Sequence, residues 1–144
     1  MNLEAACAKY IGVPYLYRGA DPRGWDCWGL VQYIGVHELA LSWPSYAEAY
    51  AASPLRGDAA VADAVAAHLG EWSMADKPAT GHVLCFDRKG TGRMAAGTVP
   101  RVFHVAIALN GREMIHVREG HGTVIERFDS FVWSRYFAGA WVKL

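Results

Sequence analysis

The sequence predicts an α+β fold in which N-terminal helices pack on a C-terminal antiparallel β-sheet. Two observations carry this. Helix-compatible, alanine-rich stretches are confined to the first half, and β-branched apolar runs bounded by turn residues fill the second. A third is the Asn110-Gly111 pair between two such runs, which is a hairpin signal.

In chain order, residues 2–11 suit a short helix. Residues 12–26 are dense in turn formers, with Gly12-Val13-Pro14 and Arg18-Gly19-Ala20-Asp21-Pro22-Arg23-Gly24, so this stretch is irregular. Asp26 is a good N-cap for an apolar helix over 27–41. Ser42-Trp43-Pro44-Ser45-Tyr46 breaks that helix and is expected to form a rim of a cleft, and an Ala-rich helix follows over 58–69. Strands are expected at 82–87, 102–109, 112–118, 122–127 and 137–143. Between the first two of these, residues 88–101 carry four basic residues among glycines, which reads as a lid or a solvated excursion.

At 144 residues the chain is expected to form one domain, 1–144, with a substantial core. Formal charge is zero and the pI about 7.0, so no global basic field favours nucleic acid or an anionic membrane. No apolar run spans a bilayer, and the start Met-Asn-Leu-Glu-Ala-Ala-Cys lacks the features of a signal peptide. The expectation is synthesis in the cytoplasm without membrane insertion.

The chemistry centres on Trp25-Asp26-Cys27-Trp28-Gly29-Leu30. A cysteine at a helix N-terminus meets unpaired N–H groups and the positive end of the helix dipole, both of which favour thiolate. A loop-to-helix junction is also expected to expose it. Alternation in 102–109 puts His104, Ala106 and Ala108 on one face, and in 112–118 Met114 and His116 share a face. Adjacent strands can thus bring two imidazoles together, one to accept a thiol proton and one to orient the first. Cys7 and Cys85, with no paired spacing, are expected to fill the core. His37 and His68 are expected on helices and His121 in a turn, and none of these residues shows metal-ligand spacing, so no metal and no cofactor are expected. Trp72, Trp133 and Trp141 are assigned to packing.

Residues 12–31, Gly-Val-Pro-Tyr-Leu-Tyr-Arg-Gly-Ala-Asp-Pro-Arg-Gly-Trp-Asp-Cys-Trp-Gly-Leu-Val, resemble the signature of the NlpC family of cell-wall cysteine peptidases. Gly81-His82-Val83-Leu84-Cys85-Phe86, His104-Val105-Ala106-Ile107 and Met114-Ile115-His116-Val117 resemble its later blocks, in the same order. The resemblance implies a papain-like arrangement and a peptidase acting on peptidoglycan stem peptides. It implies Cys27 as nucleophile, His104 as general base and His116 as orienting residue. Tyr15 would stabilise the oxyanion, and Asp26 would grip the free amino end of a stem peptide.

Two positions depart from the family pattern. Trp28 stands where serine is usual and is expected to shape a substrate subsite, and His82 stands where aspartate is usual. The tryptophan is similar to a phage tail-associated branch, which implies other tail proteins as partners and delivery to the wall by a virion. A cysteine-histidine dyad also serves amidases and acyltransferases, and an inactive tail subunit could retain the same fold.

Overall fold

The computed structural model describes residues 2–53, 55, 57–87 and 102–144. The chain opens with α1 (Leu3–Cys7), capped by the Asn2 side chain, and tightens into a 3-10 turn at Ala8–Tyr10. A two-residue hairpin follows, β1 (Ala20–Asp21) paired with β2 (Gly24–Trp25). Then come α2 (Cys27–His37), α3 (Ala47–Ala52) and α4 (Asp58–His68). The remaining elements are β3 (Trp72–Met74), β4 (Val83–Asp87), β5 (Val102–Ala108), β6 (Glu113–His116), β7 (Val124–Arg127), α5 (Phe131–Ser134) and β8 (Phe137–Lys143).

The strands β3 to β8 form one antiparallel sheet in the order β3-β8-β4-β5-β6-β7. The expected α+β order of helices then strands holds. The Asn110 side chain closes the β5-β6 hairpin by accepting from the backbone N–H groups of Arg112 and Glu113, each at 2.8 Å. A strand at 72–74, a helix at 47–52 and a helical turn at 131–134 go beyond the sequence reading. Each is too short for periodicity to reveal. The second helix ends at His37 rather than continuing to 41, and Ala40 then takes a left-handed conformation, φ 54°. The expected lid at 88–101 lies outside the described residues.

Burial divides the apolar side chains into two clusters. The larger joins Leu3, Trp25, Cys27, Leu30 and Ile34 to Val83, Cys85, Val105, Ile107 and Ile115, so α2 lies against β5. The smaller gathers Leu84, Phe86, Ala106, Ala108, Met114 and Trp133. Alternation along β4 and β5 explains this division, since neighbouring residues point to opposite faces. Cys7 and Cys85 are buried thiols as expected, and burial pushes both up to about 12.

The segment before α2 is fixed to the far end of the chain. Thr123 Oγ1 donates to the Val13 carbonyl at 2.8 Å and accepts from the Trp25 indole at 2.9 Å. Backbone bonds from Thr123 N to Val13 O and from Gly12 N to Thr123 O complete the tie. Gly29 allows the closest approach within this region: a Cβ there would lie 2.0 Å from the Gly19 carbonyl oxygen. The first turn of α2 therefore packs backbone to backbone on the loop that precedes it.

Candidate active site

Cys27 is the first residue of α2, and Asp26 caps that helix as the sequence predicts. Asp26 Oδ1 accepts from Gly29 N at 2.7 Å, and its Oδ2 accepts from Arg18 N at 3.1 Å. One carboxylate thus fixes both the helix start and the preceding turn. Its two oxygens serve the backbone, and the residue is 1% exposed.

The expectation of an exposed Cys27 is not met. The residue is 1% exposed, because the first turn of α2 lies inside the main cluster beside Trp25, Trp28 and Val105. The location at the helix start stands.

The two strand histidines meet. His104 Nε2 lies 2.8 Å from His116 Nδ1, with both rings buried. The sheet register accounts for this. Ile107 opposes Ile115, so one step further along each strand puts His116 opposite residue 106, diagonal to His104. Beside His104 the β4-β5 register also shifts: Phe86 opposes His104, whereas Asp87 opposes Val102. Phe103 is the extra residue of this β-bulge, a feature that bends a strand and re-aims side chains.

The chain of hydrogen bonds does not stop at His116. His116 Nε2 lies 2.8 Å from Glu126 Oε1 on β7, and the same oxygen accepts from the Trp133 indole N–H. Sequence reading named neither Glu126 nor this use of Trp133, which it assigned to packing. Trp133 is buried, but its ring also stacks on His104 with centroids 5.3 Å apart.

Electrostatics sort these groups. Burial, then the neighbouring His116 and Arg118, hold His104 well below the usual histidine range, so it is a neutral imidazole. Glu126 is held below the usual carboxylate range, first by its hydrogen bond to His116, and is an anion. The remaining ring nitrogen of His104, Nδ1, is buried and has no hydrogen-bond partner. Among the described residues, no thiol–imidazole hydrogen bond therefore runs through that atom.

The other expected site residues fall as follows. Tyr15 forms an isolated bridge with Trp25, and its hydroxyl is buried. Trp28 is 3% exposed, stacks on Tyr46 at 5.1 Å and donates its indole N–H to the Pro44 carbonyl at 3.2 Å. It also lines a cavity of about 150 Å³ together with Arg18, Asp26, Gln32 and Ser45. Ser45, in the segment expected to form a rim, thus borders this cavity. His82 Nδ1 accepts from Ala79 N at 3.2 Å, a turn-closing acceptor role that a carboxylate can also fill. No group of three or more His, Cys, Asp or Glu side chains suited to a metal occurs among the described residues.

Residues 12–142 match the NlpC/P60 family model. Protein P54 of Enterococcus faecium is 25% identical over 114 residues, 79% of this chain and 17% of that protein. The gamma-DL-glutamyl hydrolase of Bacillus subtilis is 51% identical over 41 residues, 28% of this chain and 10% of that protein. This chain therefore spans less than a fifth of the length of either relative.

Two solved structures share the fold. The NlpC/P60 domain of the peptidoglycan hydrolase SagA superposes with a TM-score of 0.59 at 22% identity, covering 99% of this chain and 97% of that one. An NLP/P60 family lipoprotein-like protein from Staphylococcus aureus gives 0.63 at 24% identity, covering 99% and 40%. With the family model covering nearly the whole chain, from the loop before Cys27 to the last strand, this protein belongs to the NlpC/P60 family.

Proposed function

We propose that this protein is a cysteine endopeptidase that hydrolyses peptide bonds in peptidoglycan stem peptides. The observation that carries the reading is the histidine pair, whose outer nitrogen, His104 Nδ1, is buried and has no hydrogen-bond partner among the described residues. Membership of the family and the printed function of SagA as a peptidoglycan hydrolase support the substrate class.

In the proposed reaction the Cys27 thiol gives its proton to His104 Nδ1, and the thiolate attacks the peptide carbonyl. The tetrahedral oxyanion collapses to a thioester as the amine leaves with the proton from His104. Water then attacks the thioester, losing a proton to His104 and releasing the acid and free Cys27. N–H groups at the start of α2, with the Tyr15 hydroxyl, would stabilise the oxyanion. A neutral His104 suits a base.

Asp26 and Trp28, both on the 150 Å³ cavity, are proposed to border the stem peptide. The tryptophan at position 28 supports the narrower proposal of a phage tail-associated enzyme. The deciding experiment is incubation with purified sacculi and mass analysis of the released fragments. New peptide termini within the stem, absent with Cys27→Ala, support the reading. Release at the muramoyl-alanine bond would instead make the protein an amidase, and no release with either protein would overturn it.

A further inference from the structure

We propose that Glu126 is a positioning residue that sets the tautomers of both histidines and so leaves His104 Nδ1 as the open lone pair. This rests on the reading of His104 as the base. Glu126 is an anion and can only accept, so the hydrogen bond at 2.8 Å requires His116 Nε2 to carry a proton. With His116 also neutral, its ring has one N–H, so His116 Nδ1 is then an acceptor. The next bond, also 2.8 Å, requires His104 Nε2 to be the donor. His104 is held neutral by its burial, and its Nδ1 is left unprotonated. Direction is thus imposed from β7 across β6 to β5.

The β-sheet register makes this arrangement rigid. Glu126 opposes Met114 and His116 opposes Val124, so Glu126 and His116 are diagonal neighbours on one face, as His116 and His104 are. The Trp133 indole N–H holds Glu126 Oε1 from the other side, while the Trp133 ring covers His104. When His104 takes up the thiol proton, positive charge on the pair faces the Glu126 carboxylate through two hydrogen bonds.

Among the described residues, the charged groups shown to act on the pair are Glu126 on β7 and Arg118 beyond β6, while Asp87 at the end of β4 opposes Val102. Among the described residues of α5, Trp133 is the one that touches the pair. Arg118 is stacked over the Trp133 ring at 5.3 Å and opposes protonation of His104. Glu126 is therefore the anion that counters Arg118 on that side.

The test uses the full chain labelled with ¹⁵N-histidine, because ring-nitrogen shifts report tautomers whether or not the enzyme turns over. In the native protein His104 and His116 should each show protonated Nε2 and unprotonated Nδ1. Glu126→Ala should give mixed or reversed tautomers in both rings. Glu126→Gln keeps a carbonyl acceptor and should restore them, while lacking the charge. In the pH profile of sacculus hydrolysis, Glu126→Gln should lower the plateau by about tenfold or more and move the acidic limb to lower pH, which loss of packing alone would not do. Protonated Nδ1 in native His104, or unchanged tautomers in folded Glu126→Ala, would overturn the proposal. Full hydrolysis by Cys27→Ala would overturn the peptidase reading and leave the tautomer result standing.

Discussion

Replacing Trp28 by serine tests whether this residue is held as core or as a substrate surface. Its indole is 3% exposed, stacked on Tyr46 and set edge-on to Trp72 with centroids 6.0 Å apart. Removing a buried tryptophan side chain costs about 3–5 kcal/mol, and stranding the Pro44 carbonyl that accepts from the indole adds about 1 kcal/mol. Because one side of the ring already borders a cavity, relaxation and water entry should keep the total near about 4 kcal/mol. For a chain of this size each kcal/mol lowers the midpoint by roughly 2–4 °C, so melting should fall by roughly 8–16 °C. Thermal unfolding by circular dichroism measures this, with muropeptide products compared below the new midpoint. A drop under about 3 °C together with a changed product pattern would refute the packing argument and make Trp28 a subsite residue alone.

Other outcomes follow from the same geometry. His104→Ala should lower hydrolysis by roughly 10²–10⁴-fold while the protein stays folded, as judged by single-turnover assays. His116→Asn or His116→Gln should keep measurable activity if, as proposed, that residue orients rather than transfers. Brief iodoacetamide treatment of native protein followed by mass mapping should leave Cys7 and Cys85 unmodified, because burial raises both thiols to about 12; labelling of Cys85 ahead of Cys27 would contradict this. Gly29→Ala should destabilise by about 1–3 kcal/mol or more, since its Cβ would meet the Gly19 carbonyl oxygen, and should lower activity by displacing the start of α2. His104 also makes stability depend on pH. Its folded value is depressed, so below about 6.5 the unfolded chain binds a proton that the native state refuses. The contribution is complete above that pH and is lost as pH falls towards the folded value, by up to about 1.4 kcal/mol per pH unit. Urea midpoints between pH 7.5 and 5 should show this slope, and His104→Asn should flatten it.

Local chemistry made much of the molecule legible in one dimension. Asp26 at the head of α2, the Asn110 turn and the alternation that pairs His104 with Ala106 are decided by residues within a few positions of each other. Each follows from capping, turn or pleat rules that act over such distances. The family blocks around Cys27, His104 and His116 are likewise contiguous strings. What the sequence could not reveal depends on register and burial between distant segments. Glu126 joins the histidines only because β7 pairs with β6 in a register that puts it opposite Met114, and no rule of spacing fixes that across the intervening loop. Trp133 becomes a hydrogen-bond donor to Glu126, rather than packing alone, because a single turn of helix sets it over that face. The burial of Cys27 and the depressed value of His104 arise in the same way, from what the whole fold removes from water. Desolvation is a property of the assembled interior, and no residue carries it in its own neighbourhood of the sequence.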